Sequence, residues 1–106
     1  MRHFLEIDDL SVEELHEVLR RSTATDLGRP LAGKGVALVF EKPSARTRNS
    51  MEMAVVQLGG HPVYIQGNEV GFDVRESVED VARTLACFYD VLCARVFKHS
   101  VVERMA

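Results

Sequence analysis

Short apolar runs alternate along the chain with segments whose apolar residues recur at helical spacing. A continuous apolar run of about five residues is typical of a strand buried on both faces, and spacing of three to four predicts an amphipathic helix. In chain order the pattern predicts a helix over 12 to about 21, a strand over 36–40, a helix ending at 58, a strand over 62–65, a loop over 66–76, a helix capped by Ser77, a strand over 91–97 and a helix opened by Ser100 and Glu103.

This alternation predicts an α/β fold in which helices cover both faces of a parallel sheet, as three α/β/α layers. The helix after Ser77 is expected to bury Val81, Leu85 and Phe88. Ligands of such sheets bind where strands end and helices begin. Three turns are therefore candidates for a site, at 41–48, 66–76 and 98–100.

Composition narrows the class of protein. The chain has 106 residues, 46% of them hydrophobic, and a formal net charge of −3, which suit one globular domain with a core. The weak negative charge offers no general attraction to nucleic acid or to an anionic membrane. No apolar run approaches the roughly 20 residues of a membrane span, and the first residues lack the apolar segment of a signal peptide.

The two cysteines, Cys87 and Cys93, lie in apolar stretches without metal-ligand spacing. They are expected to be buried free thiols, which are typical of a cytoplasmic protein. No metal site is predicted.

The turn after the first strand concentrates positive charge. Ser44 is predicted as an N-cap, which places Arg46 and Arg48 in or beside the first helical turn, with Lys42 just before it. Bare cations at a helix N-terminus are unfavourable by about 0.3–1 kcal/mol each, whereas a bound anion would reverse the sign of that interaction. Phosphate suits the free backbone N–H groups and guanidinium forks. The alternative is that these are surface residues paired with carboxylates such as Glu41 or Glu52.

The segment Phe40–Arg48 resembles the carbamoyl-phosphate motif of the transcarbamylases, whose core is Ser-Thr-Arg-Thr-Arg. Gln57–His61, the Glu76–Ser77 helix start and the Ala94–Phe97 strand resemble further family segments. Within the family, the Phe-Glu-Lys-Pro-Ser opening is similar to that of the ornithine carbamoyltransferases.

The resemblance implies that residues 1–106 are the carbamoyl-phosphate-binding domain, incomplete where it stops at the start of a helix, with an ornithine-binding domain lying outside the chain. It implies carbamoyl transfer from carbamoyl phosphate to the δ-amine of L-ornithine, giving citrulline and phosphate, without metal or cofactor, in a cytoplasmic homotrimer or higher multiple. Two alternatives stay open: a phosphate-binding or oligomerising fragment without turnover, and a paralogue that carbamoylates aspartate, putrescine or an acylated ornithine.

The resemblance also assigns residues. Arg46, Thr47 and Arg95 are the expected catalytic residues, and Ser44, Ala45 and Arg48 join them in binding carbamoyl phosphate, with a structural ion pair as the alternative for Arg48. Asn68 or Glu69 is the candidate for a loop contact to a neighbouring subunit. Ala45 stands where the family has Thr, which removes a hydroxyl donor worth roughly 0.5–1.5 kcal/mol.

Overall fold

The computed structural model describes all 106 residues. Eight helices and strands follow a short 3₁₀ turn at Ile7–Asp9. In chain order they are α1 (Val12–Ser22), β1 (Gly35–Phe40), α2 (Ala45–Gln57), β2 (His61–Gln66), α3 (Gly67–Val70), α4 (Val78–Ala86), β3 (Val91–Arg95) and α5 (His99–Met105).

The three strands form a parallel sheet with β1 at its centre, in the order β2-β1-β3. The crossover from β1 to β2 and the crossover from β2 to β3 run in opposite directions across the sheet. Because such crossovers are right-handed, the helices that make them lie on opposite faces. The predicted α/β fold with a parallel sheet and helices on both faces is therefore confirmed.

Side chains of β1 supply the core of both faces. Val36, Leu38 and Phe40 pack with Val55 of α2 on one face. Successive strand residues point to opposite faces, so Ala37 and Val39, which are fully buried, occupy the other. On the α4 side of the fold, Val78, Val81 and Ala82 are buried as well.

The sequence pattern predicts burial wrongly for two residues just past the end of α4. The helix ends at Ala86, so Cys87 and Phe88 fall beyond its buried face. Phe88 is 73% exposed, and the Cys87 thiol is exposed instead of buried. Cys93 is half-buried on β3, and burial raises the pKa of its thiol.

Several boundaries also differ from the prediction. The segment predicted as a loop over 66–76 contains α3, whose start is fixed by a reciprocal cap between Gln66 and Glu69. The third strand ends at Arg95, two residues early, and the last helix begins at His99 with Lys98 as N-cap. No helix in the chain has the length and apolar character needed to cross a membrane.

Candidate anion site at the start of α2

From β1 the chain proceeds to β2 on one side of it and then crosses back to β3 on the other side, so the strand order reverses between β1 and β3. The turns that follow β1 and β3 meet at this point. The backbone N–H of Glu41 donates to the carbonyl oxygen of Arg95 at 2.9 Å. The Glu41 carboxylate accepts a longer hydrogen bond, 3.4 Å, from the backbone N–H of Phe97. Such a reversal point at the carboxyl ends of parallel strands is where open α/β sheets bind ligands.

The turn after β2 reaches the same place. A Cβ added to Gly67 would lie 2.8 Å from the Cα of Glu41, so only glycine permits this close approach. Glu41 therefore touches the turns that follow β2 and β3 while itself following β1. Sequence reasoning treated Glu41 only as a partner for an arginine; its position directly after a buried strand was the signal for a role at the sheet edge.

Ser44 caps α2 and brings three of the predicted residues together. Its backbone is extended, with φ −158° and ψ 106°, and its Oγ accepts from the backbone N–H of Thr47 at 3.4 Å. The same hydroxyl donates to Thr47 Oγ1 at 2.9 Å. Arg95 Nη1 also donates to Thr47 Oγ1, at 3.4 Å. Ser44, Thr47 and Arg95 are all partly buried.

Positive charge at this helix start is only partly balanced. The first turn of α2 contains no acidic residue. Arg46 is exposed and forms no ion pair within 4 Å, whereas Arg48 forms one with Glu52. Arg95 carries the one buried side-chain nitrogen or oxygen in the protein without a hydrogen-bond partner, its Nε. A buried donor without a partner costs about 1–3 kcal/mol, so an acceptor at this position would be stabilising.

Arg48 has a different environment from Arg46. Its Nε donates to Glu52 Oε1 at 3.0 Å, and its guanidinium carbon lies 3.7 Å from the centroid of the Tyr64 ring. The ion pair with Glu52 is the arrangement expected under the alternative that sequence analysis left open for Arg48. Tyr64 was not among the predicted residues, since nothing local in the sequence links it to a residue on another element.

The remaining predicted residues are exposed. Ala45 is the exposed first residue of α2 and offers no side-chain donor there. Asn68 and Glu69 are exposed on α3. The Glu69 carboxylate accepts from the backbone N–H of Gln66 at 3.1 Å, so within this chain it serves as a helix cap.

A constellation of hydroxyls, free helix N–H groups and guanidinium groups can do one thing well: bind a tetrahedral oxyanion and polarise an oxygen attached to it. It holds no thiol or imidazole nucleophile. The acidic side chain of the turn after β1, Glu41, is engaged with the backbone of the turn after β3.

Comparison with known proteins identifies the family. Residues 2–106 match the family described as aspartate/ornithine carbamoyltransferase, carbamoyl-P binding domain. The chain is 42% identical over 113 aligned residues to an ornithine carbamoyltransferase from Halorhodospira halophila, covering 100% of this chain and 38% of that protein.

Solved structures give the same family. The fold is similar to that of an anabolic ornithine carbamoyltransferase from Campylobacter jejuni, with a TM-score of 0.92 and 32% identity over 100% of this chain and 36% of that one. It is also similar to an N-acetyl-L-ornithine transcarbamylase mutant complexed with carbamyl phosphate and N-succinyl-L-norvaline, with a TM-score of 0.81 and 36% identity over 92% of this chain and 34% of that one. The chain thus spans little more than a third of the length of these relatives.

Proposed function

The chain belongs to the aspartate/ornithine carbamoyltransferase family, as its carbamoyl-P binding domain, and from that premise we propose that the start of α2 binds carbamoyl phosphate for transfer to the δ-amine of L-ornithine. One observation carries the proposal. A capped helix N-terminus without acidic residues lies beside Arg95, whose Nη1 donates to Thr47 Oγ1 at 3.4 Å and whose buried Nε lacks a partner. A dianionic phosphate would balance both at once.

In the proposed complex, phosphate oxygens accept from the Thr47 hydroxyl, from the backbone N–H groups of Ala45 and Arg46, and from the Arg95 guanidinium. The Ser44 hydroxyl turns from Thr47 Oγ1, to which it donates in the free chain, and donates to phosphate as well. Arg46 is exposed and forms no ion pair within this chain, so its side chain is free to reach the carbamoyl oxygen together with Thr47. Holding the donor in this way prepares it for attack, since positioning and fixed positive charge lower the barrier of such a transfer.

The transfer itself balances without a cofactor. The neutral amine nitrogen attacks the carbamoyl carbon, a C–N bond forms, and negative charge moves onto the carbonyl oxygen, where Arg46 and Thr47 would stabilise it. The C–O bond to phosphate then breaks, phosphate leaves with its electron pair, and the amine loses a proton. The residues of this chain supply electrostatic stabilisation and orientation rather than a nucleophile.

We propose L-ornithine as the acceptor because ornithine carbamoyltransferases are among the similar proteins both by sequence and by structure. An acylated ornithine is the second candidate, favoured by the similarity to the N-acetyl-L-ornithine enzyme. The acceptor would be bound by residues beyond the 106 of this chain, in a cytoplasmic assembly of three copies or a multiple of three. We therefore expect these 106 residues to bind carbamoyl phosphate without producing citrulline.

Titration of the chain with carbamoyl phosphate, followed by phosphorus NMR or calorimetry, tests the proposal. Saturable binding is expected, and Arg46→Ala should weaken it at least about tenfold, because a charge-assisted hydrogen bond is lost. Arg83→Ala is the matched control, since Arg83 is an exposed arginine of α4 paired with Asp80 at 3.1 Å. Equal affinities of Arg46→Ala and the unmodified chain would contradict the role of Arg46, and citrulline formed by the chain alone would contradict its expected inactivity.

A further inference from the structure

The two arginines in the first turns of α2 have different surroundings. The Arg46 side chain is exposed and unpaired, whereas the Arg48 guanidinium lies over the Tyr64 ring at 3.7 Å and donates to Glu52 at 3.0 Å. We propose that Tyr64 is a positioning residue: its ring holds Arg48, and through Arg48 it fixes the start of α2 against β2 in the orientation that the phosphate site requires. The proposal rests on the phosphate-binding function of that helix start.

Tyr64 is held in place by its own packing, so its ring can support the Arg48 guanidinium. It pairs across the sheet with Leu38 of β1, which is fully buried. Its ring packs edge-on against Phe40, with ring centroids 5.3 Å apart and an angle of 66° between the planes. Phe40 is 2% exposed and is the last residue of β1, directly before the turn that leads to α2. The Tyr64 ring is thus packed against the core at the carboxyl end of β1, where the site lies.

Arg48 links Tyr64 to Ser44, the N-cap of α2. Its backbone N–H donates to the Ser44 carbonyl oxygen at 2.9 Å, and its neighbour Thr47 carries the hydroxyl that Ser44 and Arg95 both contact. A cation near a helix N-terminus is unfavourable unless something offsets it. The negative face of the Tyr64 ring and the Glu52 carboxylate supply that offset for Arg48. Arg48 can therefore stay in place with or without an anion.

A pair of substitutions at one position separates the ring from the rest of the side chain. Tyr64→Phe keeps the aromatic face under Arg48, and Tyr64→Leu removes it while keeping an apolar side chain on β2. In Tyr64→Leu we expect about two- to fivefold faster NMR amide hydrogen exchange at Thr47 and Arg48, the range that an exposed cation–π contact supports. Affinity for inorganic phosphate should fall by a similar factor. Tyr64→Phe should match the unmodified chain in both.

The Asp80 amide is the internal reference, because it is capped by Ser77 Oγ at 3.1 Å at the start of a different helix. Its exchange should not change. The inference is overturned if Tyr64→Leu leaves the Thr47 and Arg48 amides unchanged, if Tyr64→Phe is as damaging as Tyr64→Leu, or if Asp80 accelerates equally, which would indicate general loosening. Failure of the unmodified chain to bind phosphate would count against the proposed function instead, and the exchange rates would still decide the role of Tyr64.

Discussion

Two helices of this protein begin with the same cap and the opposite charge. Ser44 at the start of α2 and Ser77 at the start of α4 each accept from the backbone N–H three residues on. The first turn of α4 contains Glu79 and Asp80, which suit the positive end of a helix. The first turn of α2 has no acidic residue and contains Arg46.

The chain itself balances the charge at only one of these two helix starts, that of α4. Arg104 of α5 donates to both oxygens of Glu79, at 2.5 and 2.9 Å, and to both oxygens of Asp73, at 2.7 and 2.9 Å. The acidic start of α4 is thus neutralised by a cation of the chain. At α2 the charge left over is positive and Arg95 Nε has no acceptor. An N-cap serine alone does not mark a site; the unbalanced charge around it does.

Among the predicted effects on the difference between the two helix starts, the largest is expected for Arg95→Met. Methionine keeps the unbranched apolar stem of the side chain but removes the guanidinium donors, so phosphate affinity should fall about 10- to 100-fold, the range for hydrogen bonds between charged groups. The free energy of unfolding should not fall, because the Nε without a partner is removed as well. Calorimetric titration with phosphate and urea unfolding measure the two quantities. Arg104→Met is the matched control, and a comparable loss of phosphate affinity there would contradict the difference between the two helix starts.

Replacing the two caps tests the same difference with one chemical change. Ser44→Ala and Ser77→Ala should each lower the free energy of unfolding by about 1 kcal/mol, the usual cost of losing an N-cap. The loss should be the smaller for Ser44→Ala, because its bond to the Thr47 N–H is 3.4 Å long against 3.1 Å at Ser77. Only Ser44→Ala should also weaken phosphate binding, by about fivefold, since a neutral hydrogen bond to the ligand is lost. Equal effects of the two variants on phosphate affinity would refute this prediction.

Local patterns were sufficient to predict most of the fold and part of the site. The apolar runs gave the three strands, and the Ser44 and Ser77 caps were both correct, because these signals depend on neighbours in sequence. Phe88 was misassigned because helical spacing continues past Ala86 in the sequence, although the helix does not. Cys87 was expected to be buried because its neighbours are apolar, but it lies just past the end of the helix, where its thiol is exposed.

Contacts between distant elements could not be predicted. The Arg104 contacts span 25 and 31 positions of sequence, and Tyr64 meets an arginine of a different element. Side chains on separate elements meet only through the packing of the sheet and its helices. The Arg48–Glu52 pair, by contrast, is four residues apart on one helix, and spacing alone had offered it as an alternative.

The acidic start of α4 gives the smallest expected effect, since exposed ion pairs contribute little to stability. Hydrogen bonds from Arg104 lower the pKa of Glu79 from 4.5 to about 2 and also lower the pKa of Asp73. A carboxyl whose pKa is depressed by folding stabilises the protein above its ordinary pKa and loses that contribution as the pH falls through the folded value. Part of the stability should therefore disappear between about pH 4.5 and 2.

Melting temperatures measured across this window should fall less steeply with acid in Arg104→Met than in the unmodified chain. Glu14 and Glu17, whose pKa values are also lowered to about 2 by arginine partners, titrate alike in both proteins, so the difference between the two curves isolates the α4 start. Parallel curves would mean that Arg104 leaves the acid stability unchanged. The phosphate affinity of Arg104→Met at neutral pH should match that of the unmodified chain, because α4 balances its own charge and α2 leaves its charge for a ligand.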